Sequence, residues 1–291
     1  MTGPGLLNRQ RRRRIIASVF AFSCAAAATL CVVLLFLLVG KIFSEGAAWL
    51  NWDFLRNLPS RHPEKAGIKS ALAGSLWLTG LTAVISLPVG IGAAVYLEEY
   101  AAVSRWKKLF QINIANLAGV PSIVYGILGL AVFVQLFALG SSVIAGALTL
   151  SLVILPIIIL ATQEALRGVP DSIRHASYAL GATRWQTVRH QVLPAAMPGI
   201  MTGVILALSR AIGEAAPLVA VGAMAYVPFV PSGPTDQFSA LPIQIFNWAA
   251  RPKAEFHQIA GAAIIVLLFV LICMNVTAVA VRHFYGKRVR W

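Results

Sequence analysis

Apolar residues gather along this chain into long, nearly uncharged runs, and short segments between them hold almost all the charge. The runs cover 15–40, 70–97, 109–139, 141–162, a fifth around 195–224, and 258–281. Each reaches the roughly 20 residues that a helix needs to cross hydrocarbon. Leu109 to Gln163 contains no charge at all and is too long for one span. It reads as a hairpin of two helices with Gly140-Ser141-Ser142 as the tight turn. The pattern predicts an all-α membrane protein with six transmembrane helices. The prolines inside the runs (Pro88, Pro121, Pro156, Pro198, Pro217) suit membrane helices, where neighbouring groups resatisfy the freed backbone.

The charged segments orient the spans. Arg9, Arg11, Arg12, Arg13 and Arg14 precede the first, and Arg282, Lys287, Arg288 and Arg290 follow the last. Basic residues favour the cytoplasmic side, which places the N and C termini there. The 98–108 loop, with Arg105, Lys107 and Lys108, and the 163–193 loop, with four arginines, then also fall inside. Residues 1–14 form a basic cytoplasmic segment and 15–43 the first transmembrane helix. A five-helix core spans 69–282, and 283–291 form a basic cytoplasmic tail. The first run of 26 residues is longer than the apolar part of a signal peptide, about 7–15 residues, so it reads as an uncleaved helix.

Composition agrees. Of 291 residues, 58% are hydrophobic and 12% charged, against about 25% charged in soluble domains. The formal net charge of +14 flanks the spans and forms no soluble patch with interleaved aromatics, so nucleic acid is not an expected partner. Membrane lipid is. Cys24, Cys31 and Cys273 lie in apolar runs and read as inert packed thiols. The sequence has no phosphate-binding G-x-x-x-x-G-K-[ST] loop, no H-E-x-x-H and no CxxC. Its histidines (His62, His175, His190, His257, His283) scatter near predicted membrane borders. No catalytic residue, metal site or bound cofactor is expected, and the chain reads as a non-enzyme. If it drives transport, the energy comes from another chain or an ion gradient. Trp49, Trp52, Trp77 and Trp248 sit near predicted borders, as interfacial anchors do.

One pair of charges breaks the apolar pattern. Arg210 and Glu214 stand at i and i+4 inside the fifth run, on one helix face, where they can pair. Charge at membrane depth is costly and marks a pathway or binding site. Arginine offers a fork of donors that matches oxyanion geometry. A structural ion pair locking two helices is the alternative. Ser209 beside them reads as a weaker neighbour that can back-bond its own helix. Asn116, Ser122 and Tyr125 surround Pro121 and could line a path or hold helices together.

The 163–193 loop reads as two short helices. Asp171 or Ser172 caps the first, Ile173 to Leu180 continues it, and Gly181 suits the left-handed C-terminal position. Thr183 starts the second, with Gln186 as capping-box partner, and Pro194 opens the next span. Ile173, Tyr178, Leu180, Trp185 and Val188 are apolar in a segment that should face water. They suit either the bilayer and bundle or a partner's groove.

The stretch His175-Ala176-Ser177 … Leu180-Gly181-Ala182 … Leu193-Pro194 resembles the cytoplasmic loop motif of type I ABC-transporter permeases. Gly181, Leu193 and Pro194 match its spacing, whereas His175 stands where the family has glutamate. Glu164-Ala165 and Glu214-Ala215-Ala216 look like the motif's start at the wrong offset. Four further stretches, LPVGIGAAVYLEEYA, NLAGVPSIVYGILGL, SRAIGEAAPL and LPIQIFNWAARPKAEFH, resemble the A-type permeases of phosphate-specific ABC transporters. The resemblance runs from Leu72 to Val281 and implies a type I importer permease bundle in the bacterial inner membrane. It implies a C-type permease partner in a heterodimer, two ATPase subunits that bind ATP and Mg, and an extracytoplasmic phosphate-binding protein. It also implies ATPase coupling through His175, Ala176, Ser177, Leu180, Gly181, Ala182 and Trp185, and a pathway role for Arg210, Glu214, Ser209, Ser122 and Asn116. Glu98 and Glu99 then read as a solvated helix end or as ATPase contacts. The outer loops 44–68 and 225–257 become the surface for the binding protein. Permeases for sulfate, molybdate or phosphonate, an ATPase-independent secondary transporter or channel, and a membrane-embedded enzyme are the other readings; the enzyme lacks any visible catalytic cluster.

Overall fold

The computed structural model describes residues 4–224 and 226–286. Its helices are α1 (Pro4–Gly46), α2 (Trp52–Arg56), α3 (Lys69–Val95), α4 (Arg105–Ala118), α5 (Ser122–Gly129), α6 (Val143–Arg167), α7 (Asp171–Ala179), α8 (Arg184–Thr187), α9 (Leu193–Gly213), α10 (Ala216–Val221), α11 (Leu241–Ala249) and α12 (Ala254–Gly286). Wider π-helical turns extend α3 through Tyr96–Tyr100, extend α5 through Leu130–Leu136, and join α8 to α9 through Val188–Val192. Helix α1 begins at Pro4, so the basic start and the first span lie on one continuous helix. Lys287, Arg288 and Arg290 of the expected tail lie outside the described residues.

Among the described residues, five helices are long and apolar enough to cross a membrane. The expected third span is different: α4 and α5 meet at 101°. Pro121 explains the bend, since it removes a donor and pushes the preceding residue out of the helical region. Tyr125 Oη donates to Leu117 O at 2.8 Å, satisfying a carbonyl next to the break. The expected fifth span breaks too. Glu214 has an extended backbone (ψ 116°), and the chain restarts as α10 with a proline in its first turn. Pro217 has no N–H to give to Gly213, four residues back, so a continuous helix would lose that bond.

Helices α3 and α6 run parallel at the centre, in contact from Leu78 against Val143 and Ala147 to Gly90 against Ile158. Helix α9 runs antiparallel to α6, with Gly199 on Ala165 and Gly203 on Ala161. Helix α12 backs α9, and Gly46 of α1 packs on Gly261 and Ala262 of α12. Most of α1 is uncovered by the rest of the chain, which turns an apolar surface to lipid or another subunit. Cys24, Cys31 and Cys273 are free thiols on exposed faces of α1 and α12, not packed inside the chain. A built Cβ on Gly203 collides with Ala161 Cβ. Gly203→Val should therefore force α6 and α9 apart, at about 1–3 kcal/mol. A lowered melting temperature of the solubilised protein would register it, with Gly40→Ala, open on all sides, as the unchanged control.

On the outer side, Phe54, Ile68, Trp248, Phe256 and Ile259 form a core that ties α2 and α11 to the tops of α3 and α12. Trp248 is fully buried against Phe54, ring centroids 6.1 Å apart, and is no interfacial anchor. Trp49 donates to Gln258 Oε1 at 2.9 Å, and Trp52 stays exposed. The outer loop before α11 is pinned by Asp236, whose carboxylate accepts from Ser232 N, Ser232 Oγ and Gly233 N. Those bonds hold it below the usual carboxylate range.

Candidate functional site

Arg210 Nε donates to Glu214 Oε1 at 3.0 Å, so the expected i, i+4 pair forms. It stands where α9 stops, and a cation there is favoured by the negative end of the helix dipole. Its depth follows from packing. Ala207 and Ala211, on either side of Arg210, cluster with Val153, Ile154 and Ile158 in the middle of α6. Since α6 has 25 residues and rises about 1.5 Å per residue, the pair is far from both membrane surfaces.

Two broken helices meet at this level. Tyr125, just past the α4–α5 break, belongs to the same cluster and lies within electrostatic reach of Arg210. Gly126 presses against Pro217 at the start of α10, an approach that no side chain at 126 would permit. Asn116 is exposed and Ser122 half-buried on the two sides of the α4–α5 break. Ser209 departs from this group: its hydroxyl donates to Asn275 Oδ1 at 2.6 Å, which ties α9 to α12. It neither back-bonds its own helix nor stands with Arg210.

The Arg210 side chain is 45% exposed and Glu214 is 15% exposed. A half-exposed guanidinium beside interrupted helices cannot face acyl chains at low cost. Non-helical backbone at this depth persists only where protein covers it or where it lines a water-filled cavity. The face carrying Arg210 therefore suits contact with water or protein better than contact with lipid.

The cytoplasmic loop forms the second candidate region. Gly181 adopts φ +82°, as its position after α7 requires. Thr183 and Gln186 form the expected capping box. The cap of α7 is not a side chain: Pro170 holds that position, and Asp171 pairs with Arg174 at 3.1 Å instead. The five apolar loop residues divide. Val188 is buried and Ile173 packs on the core of α6 and α9, whereas Tyr178, Leu180 and Trp185 project outward. Leu180 is 89% exposed. His175, Ala176 and Gly181 are exposed beside them, Ala182 is half-exposed, and Ser177 is hydrogen-bonded to Thr187 across the two helices at 2.8 Å.

Glu98 and Glu99 are not a solvated end, since both are largely buried and paired with arginines. Arg167 Nη2 reaches Glu98 Oε1 at 2.6 Å, and Arg174 Nη2 reaches Glu99 Oε1 at 2.8 Å. Burial pulls the Arg174 guanidinium down, but its hydrogen bond to Glu99 and the charges of Glu99 and Asp171 outweigh this and raise it above the ordinary arginine value. Arg167 and Arg174 were not foreseen as functional, because partners about 70 residues apart carry no spacing signal.

Residues 86–291 match the family of binding-protein-dependent transport system inner membrane components. The chain is 34% identical over 291 residues to phosphate transport system permease protein PstA 1 of Mycobacterium tuberculosis (strain H37Rv), covering 97% of this chain and 91% of that one. It is 32% identical to the probable ABC transporter permease protein YqgI of Bacillus subtilis (strain 168), covering 90% and 92%. The fold resembles a permease in the crystal structure of a bacterial alginate ABC transporter in complex with its pentasaccharide-bound periplasmic protein, with a TM-score of 0.64, 14% identity, and 91% and 94% of the two chains covered. A second likeness is to the inward-facing MetNI methionine ABC transporter, with a TM-score of 0.58, 21% identity, and 75% and 94% covered.

Proposed function

The chain belongs to the family of binding-protein-dependent transport system inner membrane components, and from that premise we propose that it is the A-type permease subunit of an ATP-driven importer of inorganic phosphate. It is a non-catalytic, multi-pass subunit of the bacterial inner membrane. Relatives named for phosphate transport that align along most of both chains support the substrate. In this reading a C-type permease completes the membrane pair. Two ATPase subunits hold ATP and Mg, and an outer phosphate-binding protein delivers the anion to the loops around α2 and α11.

The observation that carries the mechanism is the Arg210–Glu214 pair at the break between α9 and α10. Glu214 satisfies Arg210 while no anion is present, and phosphate displaces it as the path opens. A ligand shifts a conformational equilibrium only through different affinities for the two states, and this exchange of partners supplies such a difference. Asn116 and Ser122, at the neighbouring break, contribute polar atoms to the same wall. Outward-facing Leu180 and Trp185, with His175, Ala176, Ser177, Gly181 and Ala182, form the face that an ATPase moves.

Co-purification followed by competition tests this reading. The chain should carry an ATPase subunit through purification. The reconstituted complex should take up labelled phosphate only with ATP, and an excess of sulfate, molybdate or phosphonate should leave uptake unchanged. Uptake without an ATPase, or strong inhibition by sulfate, overturns it.

A further inference from the structure

We propose that Arg174 is a positioning residue whose guanidinium clasps the coupling helix α7 to the inner ends of α3 and α6, so that motion of α7 reaches the centre of the bundle through those two helices. The inference rests on the reading of the 163–193 loop as the ATPase-coupled segment. Its geometry stands independently of that reading.

Three helix ends converge on this one side chain. Arg174 Nε and Nη2 both donate to Glu99 Oε1, at 3.2 and 2.8 Å, which reaches the π-helical end of α3. Nη2 also donates to Leu166 O at 3.0 Å, near the end of α6, and Nη1 to Val169 O at 2.8 Å in the link that follows. Nη1 further meets Asp171 Oδ1 at 3.1 Å in the first turn of α7. A lysine ammonium could not reach this spread of acceptors, because the planar fork sets the directions. The side chains of Arg174 and Glu99 are 16% and 7% exposed. An exposed ion pair contributes little and slides easily, whereas this one is largely enclosed and every guanidinium N–H has an acceptor. A second bridge, Arg167 to Glu98 and Glu164, binds α3 to α6 beside it.

From the clasp, the parallel α3–α6 pair leads inward. Leu87 and Ile91 of α3 pack with Val153, Ile154 and Ile158 of α6 around Tyr125, Ala207 and Ala211, the cluster that flanks Arg210. The loop therefore has two routes to the centre. One is covalent, from α8 through the π turn Val188–Val192 into α9. The other is ionic, through Arg174. Without the clasp, α7 keeps the short Gly168–Pro170 link, the packing of Ile173 on the core of α6 and α9, and the Ser177–Thr187 hydrogen bond, but loses its polar tie to α3. The π turns at Tyr96–Tyr100 and Val188–Val192 lie on these two routes, and such turns cluster at functional sites.

The test uses the complete importer in liposomes with its ATPase and binding protein. Glu99→Gln keeps the side chain's size and removes its charge. Uptake should fall about 10-fold or more while ATP hydrolysis stays within about 2-fold, as expected when coupling between two sites is lost and the sites remain. Arg174→Lys should give an intermediate ratio of ATP hydrolysed to phosphate imported. An unchanged ratio, including a proportional fall of both rates as in a purely structural defect, overturns the proposal. If Glu99→Gln fails to assemble, spin labels on the full-length chain decide. They are placed at His175→Cys and Tyr96→Cys, with Cys24, Cys31 and Cys273 replaced by serine. Their distance distribution should be narrow in the parent and broad in Glu99→Gln, and equal widths overturn the clasp. Failure of the functional reading is separately visible, because the parent complex would then import no phosphate while the label distances still report on the clasp.

Discussion

Arg210→Ala is expected to reduce phosphate uptake about 100-fold or more in a complex that still assembles. A charge-assisted hydrogen bond contributes about 1.5–3 kcal/mol, so losing two from the transported anion removes about two to four decades. The substitution also leaves Glu214, only 15% exposed, without its cationic partner at membrane depth. An unpaired charge there is costly. Arg210→Lys restores the charge but loses the planar fork, and uptake should recover only in part. Glu214→Gln separates the two roles of the pair. If Glu214 competes with phosphate for the guanidinium, its loss should lower the phosphate concentration needed for half-maximal uptake while also lowering the maximal rate. Near-normal uptake by Arg210→Ala, measured on complex of normal subunit composition, would remove Arg210 from the path.

The sequence carried this site unevenly, for physical reasons. Arg210 and Glu214 were legible because charge in an apolar run is rare, and four residues on a helix is one turn. Gly181 and the Thr183–Gln186 capping box were legible because the chemistry of helix ends is local. The two breaks were not. Pro121 and Pro217 are visible, yet proline in a membrane helix can kink, break or be absorbed, and packing decides which. Here Tyr125 bonding to Leu117 O and Gly126 pressing on Pro217 settle both. Hydropathy alone joined α4 to α5 and α9 to α10, because composition does not change across either break. Glu98, Glu99, Arg167 and Arg174 were opaque for a different reason. Each reads as an ordinary charge at a membrane border, and only the parallel arrangement of α3 and α6 brings them together. Ser209 illustrates the remaining limit: the hydroxyl's direction is set by α12, through Asn275.

The largest effect outside the path should come from the exposed apolar pair in the loop. Leu180→Glu with Trp185→Glu is expected to abolish co-purification of the ATPase, with the solubilised permease retaining its melting temperature. Both side chains project away from the bundle, Leu180 at 89% and Trp185 at 57% exposure, so neither supports the fold by its contacts. Large apolar groups held outward on rigid, capped helices have the form of interface anchors, whose truncation typically costs about 2 kcal/mol or more each. Replacing them with carboxylates adds the cost of burying charge against the partner, so the combined loss should exceed 1000-fold, about 4 kcal/mol. Ile173 and Val188 provide the contrast. They come from the same apolar set but face inward, onto the core around Val192 and Ala196 or into the loop's own interior. Ile173→Glu should therefore lower the melting temperature before it affects ATPase binding. If Leu180→Glu with Trp185→Glu retains the ATPase, or if it unfolds like Ile173→Glu, the exposed face of α7 and α8 is not the docking surface.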